Sequence, residues 1–214
     1  MTNEPEAVEI HRGLNGVYFD RSGTSDIDGR AGELRYRGYS IHDLAEHSSF
    51  EEVTYLLLYG ELPTRTQLEA FDAELKAARV LPDGVIEVIR AVQDAHPMDV
   101  LRTAVSALAA FDPDTPDNSR EATIRKGIRL TSQVPMIVAA HHRIRQGLPD
   151  AVADASLNHA GNFLQMLKGE RPSEDAVELM DMDLVLHAEH GTNASAFTAR
   201  VVAGTDANLH AAVT

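Results

Sequence analysis

A histidine near the C-terminal end of the sequence stands in a setting that suits enolate chemistry. His190 is followed by Gly191, Thr192 and Asn193 and then by an alanine-rich helical pattern, which predicts that it lies near a helix N-terminus. The positive end of the helix dipole disfavours an imidazolium there, so we expect a neutral imidazole. A neutral imidazole N–H can stabilise a developing enolate oxygen without losing its proton. His190 is therefore the candidate catalytic residue, although an isolated His-Gly pair would more often be a helix cap or a satisfied core histidine.

Two further polar residues, His159 and Asn162, stand three positions apart in a predicted helix. This spacing puts them on one helix face, beside an apolar stripe, where they could bind a small ligand. The alternative is that His159 is simply a buried histidine at the start of the helix. We retain both residues as candidate substrate-binding groups.

A metal site is the less favoured interpretation of the histidines. His187 and His190 are also three positions apart, so on a helix they would share a face. The spacing is not that of a His-Glu-x-x-His zinc motif, and no other ligand motif accompanies it. We therefore expect no metal, and we expect His187 to pack or to support its neighbours.

Five segments resemble, in the same order, segments of the citrate synthase family. Residues 187–195, His-Ala-Glu-His-Gly-Thr-Asn-Ala-Ser, are similar to the family motif His-Ala-Asp-His-Gly-x-Asn-Ala-Ser. Residues 157–167 resemble the family segment Ser-His-Ala-Ala-Asn-Phe-Leu-x-Met-Leu. The other three are residues 27–39, 49–57 and 96–103. The sequence is accordingly identified as a member of this family, of the short archaeal and bacterial type.

The resemblance implies a specific activity. Citrate synthase-type acyltransferases condense acetyl-CoA with oxaloacetate and water to citrate and CoA, the entry to the tricarboxylic acid cycle. It implies that His190 polarises the thioester carbonyl, and that His159, with Asn162 as a tentative addition, contacts oxaloacetate. No cofactor is implied beyond acetyl-CoA as cosubstrate, and no cofactor-binding residue is assignable. The related 2-methylcitrate synthases use propionyl-CoA with the same motifs, so the acyl group stays open.

The sequence departs from the family pattern in two ways. Glu189 and Asn158 stand where the family mostly has Asp and Ser. The resemblance also implies that the aspartate base, the second catalytic histidine, the oxaloacetate-binding arginines and most of the CoA site lie beyond residue 214. We expect a fragment that is inactive by itself. The alternative is a non-catalytic truncated helical protein that dimerises or associates with a complete paralogue.

The patterning predicts a mainly α fold. Residues 1–39 form the first predicted unit, a small β-meander with candidate strands at 17–19, 25–27 and 33–36. Residues 40–214 form the second, which the resemblance identifies as a citrate synthase-like multi-helical domain without its C-terminal part. Capping patterns at Ser49 and Thr64 open two helices, and a helix is predicted over 159–168. The family uses the helix at Met98–Phe111 in its homodimer interface, so the same is expected here.

Composition excludes several functional classes. The formal net charge of −14 would repel nucleic acid and anionic membranes, so neither is an expected partner. Hydrophobic residues make up 43% and aromatic residues only 5%, which predicts an aliphatic core. There is no cysteine, no apolar signal core and no apolar stretch long enough to span a bilayer, so we expect a soluble cytoplasmic protein. The acid-rich surface, with three lysines, also suggests a high-salt habitat.

Overall fold

The structure is a computed structural model that describes residues 21–191 and 193–214, together with Gly13 and Gly16. The candidate strand at 17–19 lies outside the described residues. Helices dominate the part that is described, which confirms the predicted mainly α fold.

A small antiparallel sheet precedes the helices. Its strands, in the order β1-β2-β3, are β1 (Ser25–Asp28), β2 (Glu33–Tyr36) and β3 (Tyr39–Ser40). The Asp28 carboxylate accepts hydrogen bonds from the backbone N–H groups of Arg30 and Ala31, at 2.9 and 3.0 Å, and so closes the β1–β2 turn. The predicted small β-meander is confirmed, with β1 and β2 at the strands predicted for 25–27 and 33–36, whereas β3 was not predicted.

The helices follow one another with short connections. The described residues form α1 (Ile41–His47), α2 (Phe50–Tyr59), α3 (Arg65–Ala77), α4 (Asp83–Ala91), α5 (Pro97–Leu108), α6 (Arg120–Arg145), α7 (His159–Lys168), α8 (Glu174–His187), α9 (Ala194–Ala203) and α10 (Leu209–Val213). Across the described ranges, none of these helices has both the length and the apolar character needed to cross a lipid bilayer.

Local capping chemistry sets several of these boundaries. Ser49 accepts from the Glu52 N–H, while the Glu52 carboxylate accepts from the Ser49 N–H, and Thr64 and Gln67 form the same reciprocal pair. Both predicted capping boxes are therefore confirmed. The helix predicted over 159–168 has the expected bounds, and it ends at Gly169 in the left-handed region.

Two main clusters of apolar side chains hold the helices together, and both are largely aliphatic, as predicted. One joins α4, α5 and α6 through Val85, Ile89, Val100, Ala104, Val105, Leu108, Leu130 and Ile137. The other joins the meander to α1, α2 and α8 through Tyr36, Ile41, Leu44, Val53, Leu56 and Val185.

The meander shares this second core with the helices. Tyr36 of β2 is fully buried and packs in one cluster with residues of α1, α2 and α8. The predicted division between residues 1–39 and 40–214 falls inside β3, whose Ser40 also caps α1. That division stays a prediction.

Candidate active site

His190 lies in the turn that joins α8 to α9. Helix α8 ends at His187, and Asn193 caps α9 by accepting a hydrogen bond from the Ala196 N–H at 2.9 Å. The His190 side chain is exposed three positions before that cap. It therefore stands ahead of a helix N-terminus, where a substrate could reach it.

His187 and His190 do not share a helix face, so they lack the geometry that a metal site on one helix would need. The helix stops at His187, so the two residues follow different backbone paths. The expectation that His187 packs is also wrong, because its side chain is 76% exposed and its Nδ1 lies 2.8 Å from the Asp183 carbonyl oxygen. Among the residues that the structure describes, no group of three or more His, Asp or Glu side chains is placed to hold a metal ion.

The meander fixes the backbone that leads into His190. The buried Tyr36 hydroxyl lies 3.2 Å from the carbonyl oxygens of Val185 and Leu186 and also 3.2 Å from the Glu189 N–H, from which it accepts. Burial raises the pKa of Tyr36, so the phenol keeps the proton that it donates. One side chain from β2 thus satisfies the C-terminal end of α8, where helix carbonyls lack partners.

The departure from the family motif at Glu189 is accommodated by β1. The Glu189 carboxylate is long enough to accept a hydrogen bond from the Ser25 hydroxyl of β1 at 3.1 Å. Gly191 has φ +64°, and a Cβ there would stand 3.1 Å from Ile27 Cδ1. A larger residue would be strained by this backbone conformation and crowded by β1, so glycine suits the position next to His190.

His159 begins α7 and is buried, with only 4% exposure. Its ring packs on Phe50 with centroids 4.8 Å apart, and its backbone N–H donates to Glu51 Oε1 at 2.7 Å. Burial first, and then the positive charge of Arg79, lower the pKa of His159 to about 4. The imidazole is therefore neutral at physiological pH and can form hydrogen bonds without a charge.

Asn162 lies on the same helix and is 1% exposed. Its Oδ1 accepts from the Asp154 N–H at 2.9 Å, and its Nδ2 contacts Met136 Sδ at 3.5 Å. The structure thus brings the two predicted binding residues together on α7, but the Asn162 amide is occupied by contacts within the protein.

Three charged residues that the sequence did not single out contact His159 or the residues beside it: Glu51, Arg79 and Asp181. Glu51 and Arg79 are each 4% exposed, and burial raises the pKa of the Glu51 carboxyl. Burial, with the nearby charge of Glu51, raises the pKa of Asp181 to about 6. The capping pattern at Ser49 assigns a role to Glu52 but gives none to Glu51, so only packing shows that Glu51 faces His159.

An open cavity of about 620 Å³ lies beside the start of α7, and it does not suit a dicarboxylate. Its lining includes Glu46, Glu174, Glu178 and Asp181. Its arginine, Arg171, is paired with Asp154 at 3.0 Å. Neither His159 nor His190 lines this cavity, so the candidate chemistry lies elsewhere.

Comparison with known proteins identifies the family to which the chain belongs. The sequence profile described as "Citrate synthase, C-terminal domain" matches residues 13–214. The chain belongs to the citrate synthase family. It is 51% identical over 211 residues to a citrate synthase from Haloferax volcanii. The alignment covers 96% of this chain and 56% of that protein.

Relatives with a second name are also close in sequence. A 2-methylcitrate synthase from Mycobacterium tuberculosis is 41% identical over 210 residues, covering 98% of this chain and 53% of that protein. The citrate synthase from Thermoplasma acidophilum, solved as a ternary complex with carboxymethyl coenzyme A and oxaloacetate, aligns with a TM-score of 0.87 at 25% identity. That alignment covers 94% of this chain and 54% of the solved one.

These matches show that the chain has the citrate synthase fold. They also show how much of the relatives' length the chain spans. The chain spans about half the length of the curated relatives that it matches. The family assignment confirms the resemblance seen in the motifs, and it supports an enzyme of the acyltransferase class.

Proposed function

We propose that this protein is a citrate synthase-type acyltransferase that condenses acetyl-CoA with oxaloacetate and water to give citrate and CoA, the entry to the tricarboxylic acid cycle. The observation that carries the proposal is the anchored turn around His190, held by Tyr36 and Ser25 ahead of α9. The names of the relatives support it, as does the Thermoplasma acidophilum protein bound to oxaloacetate and a CoA analogue. No resident cofactor or metal is needed.

The proposed reaction has three steps. A carboxylate base removes a proton from the acetyl methyl group while the His190 N–H donates to the thioester oxygen, which becomes an enolate oxygen. The enolate carbon then bonds to the keto carbon of oxaloacetate, and the keto oxygen takes up a proton. Water finally cleaves the thioester of the citryl-CoA, releasing citrate and CoA. The base is not assigned to a residue of this chain.

His159 is proposed to orient oxaloacetate. Its neutral imidazole can form a hydrogen bond with the substrate, and its fixed position reduces the entropy lost on binding. Asn162 was also expected to bind the substrate. Because its amide is bonded to the Asp154 N–H, we give it the supporting role of holding the segment before α7.

The first test replaces His190 with alanine in the protein purified at its natural length. We expect turnover to fall about 10²–10³-fold, which is the usual cost of losing one donor to a developing oxyanion. Free CoA can be followed with a thiol reagent, since the chain contributes no cysteine. The matched control is His187→Ala, because His187 is exposed in the same motif. Unchanged turnover in His190→Ala, with a native circular dichroism spectrum, would remove His190 from the mechanism.

Propionyl-CoA is the second candidate acyl donor. The 41% identical relative that is named 2-methylcitrate synthase favours testing it. Parallel assays with both thioesters decide between the two, because the donor with the higher kcat/KM is the preferred substrate. Residues 1–214 by themselves are expected to be inactive with either.

We also propose that the protein is a cytoplasmic homodimer that uses the surface of residues 98–111. Within this stretch Val100, Ala104 and Leu108 are buried in the core, while Met98 is 63% and Phe111 is 50% exposed. Exposed apolar side chains on α5 and in the turn that follows it suit a subunit contact. The competing idea of a non-catalytic protein that associates with a complete paralogue gains no support from the relatives. Co-elution with such a paralogue, without activity, would favour it.

A further inference from the structure

Two adjacent residues of α2 touch both the ring and the backbone of His159. The Phe50 ring packs on the imidazole at 4.8 Å, and the Glu51 carboxylate accepts from the His159 N–H at 2.7 Å. We call Phe50 and Glu51 the α2 bracket. It lies 108 residues before His159 in the sequence, so the contact depends on the tertiary fold.

The hydrogen bond to Glu51 satisfies a group that a helix cannot satisfy by itself. The first N–H groups of a helix have no partner within it, and they form its positive end. At the start of α7, Asn158 Oδ1 accepts from the Gly161 N–H at 2.8 Å, and Glu51 takes the His159 N–H. A buried N–H left without Glu51 would lack a partner, because Asn158 already serves another donor.

The same bracket is attached to the helix that leads to His190. The Phe50 N–H donates to Asp181 Oδ2 of α8 at 3.2 Å. Helix α8 then runs to His187, and the turn that carries His190 follows it. The first turn of α2 therefore contacts α7, which carries His159. It also contacts α8, the helix that precedes the turn carrying His190.

A buried arginine fixes the segment on the other side of His159. Arg79 Nη1 donates to the carbonyl oxygens of Asp154 and Leu157, at 3.1 and 3.0 Å. Its charge favours the ionised form of Glu51, while the Glu51 charge favours the guanidinium. Glu51 and Arg79 thus hold the start of α7 by hydrogen bonds to its backbone and to the segment before it.

We propose that Glu51 is a positioning residue for the reaction, whose carboxylate fixes the start of α7 so that the His159 imidazole meets oxaloacetate in the productive orientation. The inference rests on the proposed function. It predicts that loss of Glu51 weakens the use of oxaloacetate more than the use of the acyl-CoA, because only oxaloacetate is placed by His159.

The experiment uses the protein at its natural length and three variants at position 51. Glu51→Ala removes the acceptor, and Glu51→Asp keeps the charge but is one methylene too short to reach the His159 N–H. Both should raise the KM for oxaloacetate about tenfold or more, since small misplacements of a binding group are costly. Glu51→Gln keeps an oxygen acceptor and should restore the KM to within about threefold of wild type.

The matched control is Glu52→Ala. Glu52 is the next carboxylate on α2, and it accepts from the Ser49 N–H at 2.8 Å. Its loss removes a capping bond from the same turn but leaves the His159 N–H bonded. It should lower stability without changing the KM for oxaloacetate.

Hydrogen exchange at the His159 amide and the ring NMR signals of His159 give a readout that does not need activity. Faster exchange and shifted ring signals in Glu51→Asp, but not in Glu52→Ala, together with the raised KM, support the inference. An oxaloacetate KM in Glu51→Asp equal to that of wild type, or equal to that of Glu52→Ala, overturns it. A wild-type protein that turns over neither acyl-CoA overturns the proposed function instead, and with it this use of Glu51.

Discussion

At the residue scale, the neutral His159 lies near three buried or half-buried titratable side chains. Glu51 accepts from its N–H, Arg79 binds the segment before it, and Asp181 accepts from the Phe50 N–H. Burial raises the pKa values of the two carboxyl groups and lowers that of the histidine. Each shift favours the neutral form, because a low-dielectric site penalises charge. The site is therefore arranged around uncharged or internally compensated groups.

Asp181 gives the molecule a pH-dependent stability. Its pKa is about 6 in the folded protein against 3.8 ordinarily, so between these values the folded state binds more protons than the unfolded state. Its contribution to stability is present at pH 4 and is lost as the pH rises through about 6. In Asp181→Asn the amide oxygen still accepts from the Phe50 N–H but cannot ionise. Urea unfolding should therefore show that this variant gains on wild type as the pH rises from 4.5 to 7.

Asp175→Asn is the control for this effect, since Asp175 is exposed on the same helix. It should change stability equally at both pH values. If Asp181→Asn behaved in the same way, the raised pKa of Asp181 would be wrong.

At the scale of elements, both candidate histidines are positioned by helix ends. His159 begins α7, and His190 lies between the end of α8 and the cap of α9. Side chains from β1, β2 and α2 satisfy the groups at these ends. The small meander thus has a functional role, because Tyr36 and Ser25 hold the backbone around His190.

Two glycines that end helices form a matched pair for testing how much a close neighbour adds to the cost of replacing such a glycine. Gly60 and Gly169 both have left-handed backbone, with φ of +96° and +82°. A Cβ at Gly60 meets nothing within 4 Å, whereas a Cβ at Gly169 would stand 2.6 Å from the Arg143 guanidinium. That guanidinium is held by the Pro149 carbonyl oxygen, 2.7 Å from Nε.

Gly60→Ala should therefore cost about 1–2 kcal/mol of unfolding free energy, from backbone strain alone. Gly169→Ala should cost more, because Arg143 must also leave its buried contacts. Urea denaturation of the two variants measures the difference. Equal losses would mean that Arg143 moves aside freely and is not a structural contact.

At the scale of the whole molecule, 33 acidic against 19 basic residues give a formal net charge of −14. Several carboxylates are neutralised in place: Arg129 binds Asp112 and Asp114, and Arg125 binds Asp114, each with Nη2 2.6 Å from a carboxylate oxygen. These pairs lower the pKa of Asp114, with the bonds to Arg125 and Arg129 as the main cause. The unpaired remainder repels itself, and dissolved salt screens that repulsion.

We therefore expect stability to rise with potassium chloride between about 0.1 and 2 M. Each kcal/mol regained should raise the melting temperature by about 2–4 °C for a chain of this size. Thermal unfolding followed by circular dichroism measures this. A melting temperature that is the same at both salt concentrations would contradict a high-salt adaptation.

Local patterns in the sequence determined much of this protein. The capping boxes at Ser49 and Thr64, the bounds of α7 and the position of His190 before a helix all depend on residues within a few positions of one another. Such signals can be read without the fold, because helix capping is a local interaction. The five motif segments, which occur in the family's order, were sufficient to indicate the family.

Only the tertiary structure decided which polar residues serve the site. Glu51 meets His159 across 108 residues, and Ser25 meets Glu189 across 164. The sequence identified Glu52 as a capping residue but gave Glu51 no partner, and it suggested a shared helix face for His187 and His190 that the end of α8 removes. Burial and long-range hydrogen bonds arise when distant segments pack together, so their partners are specified by the fold as a whole.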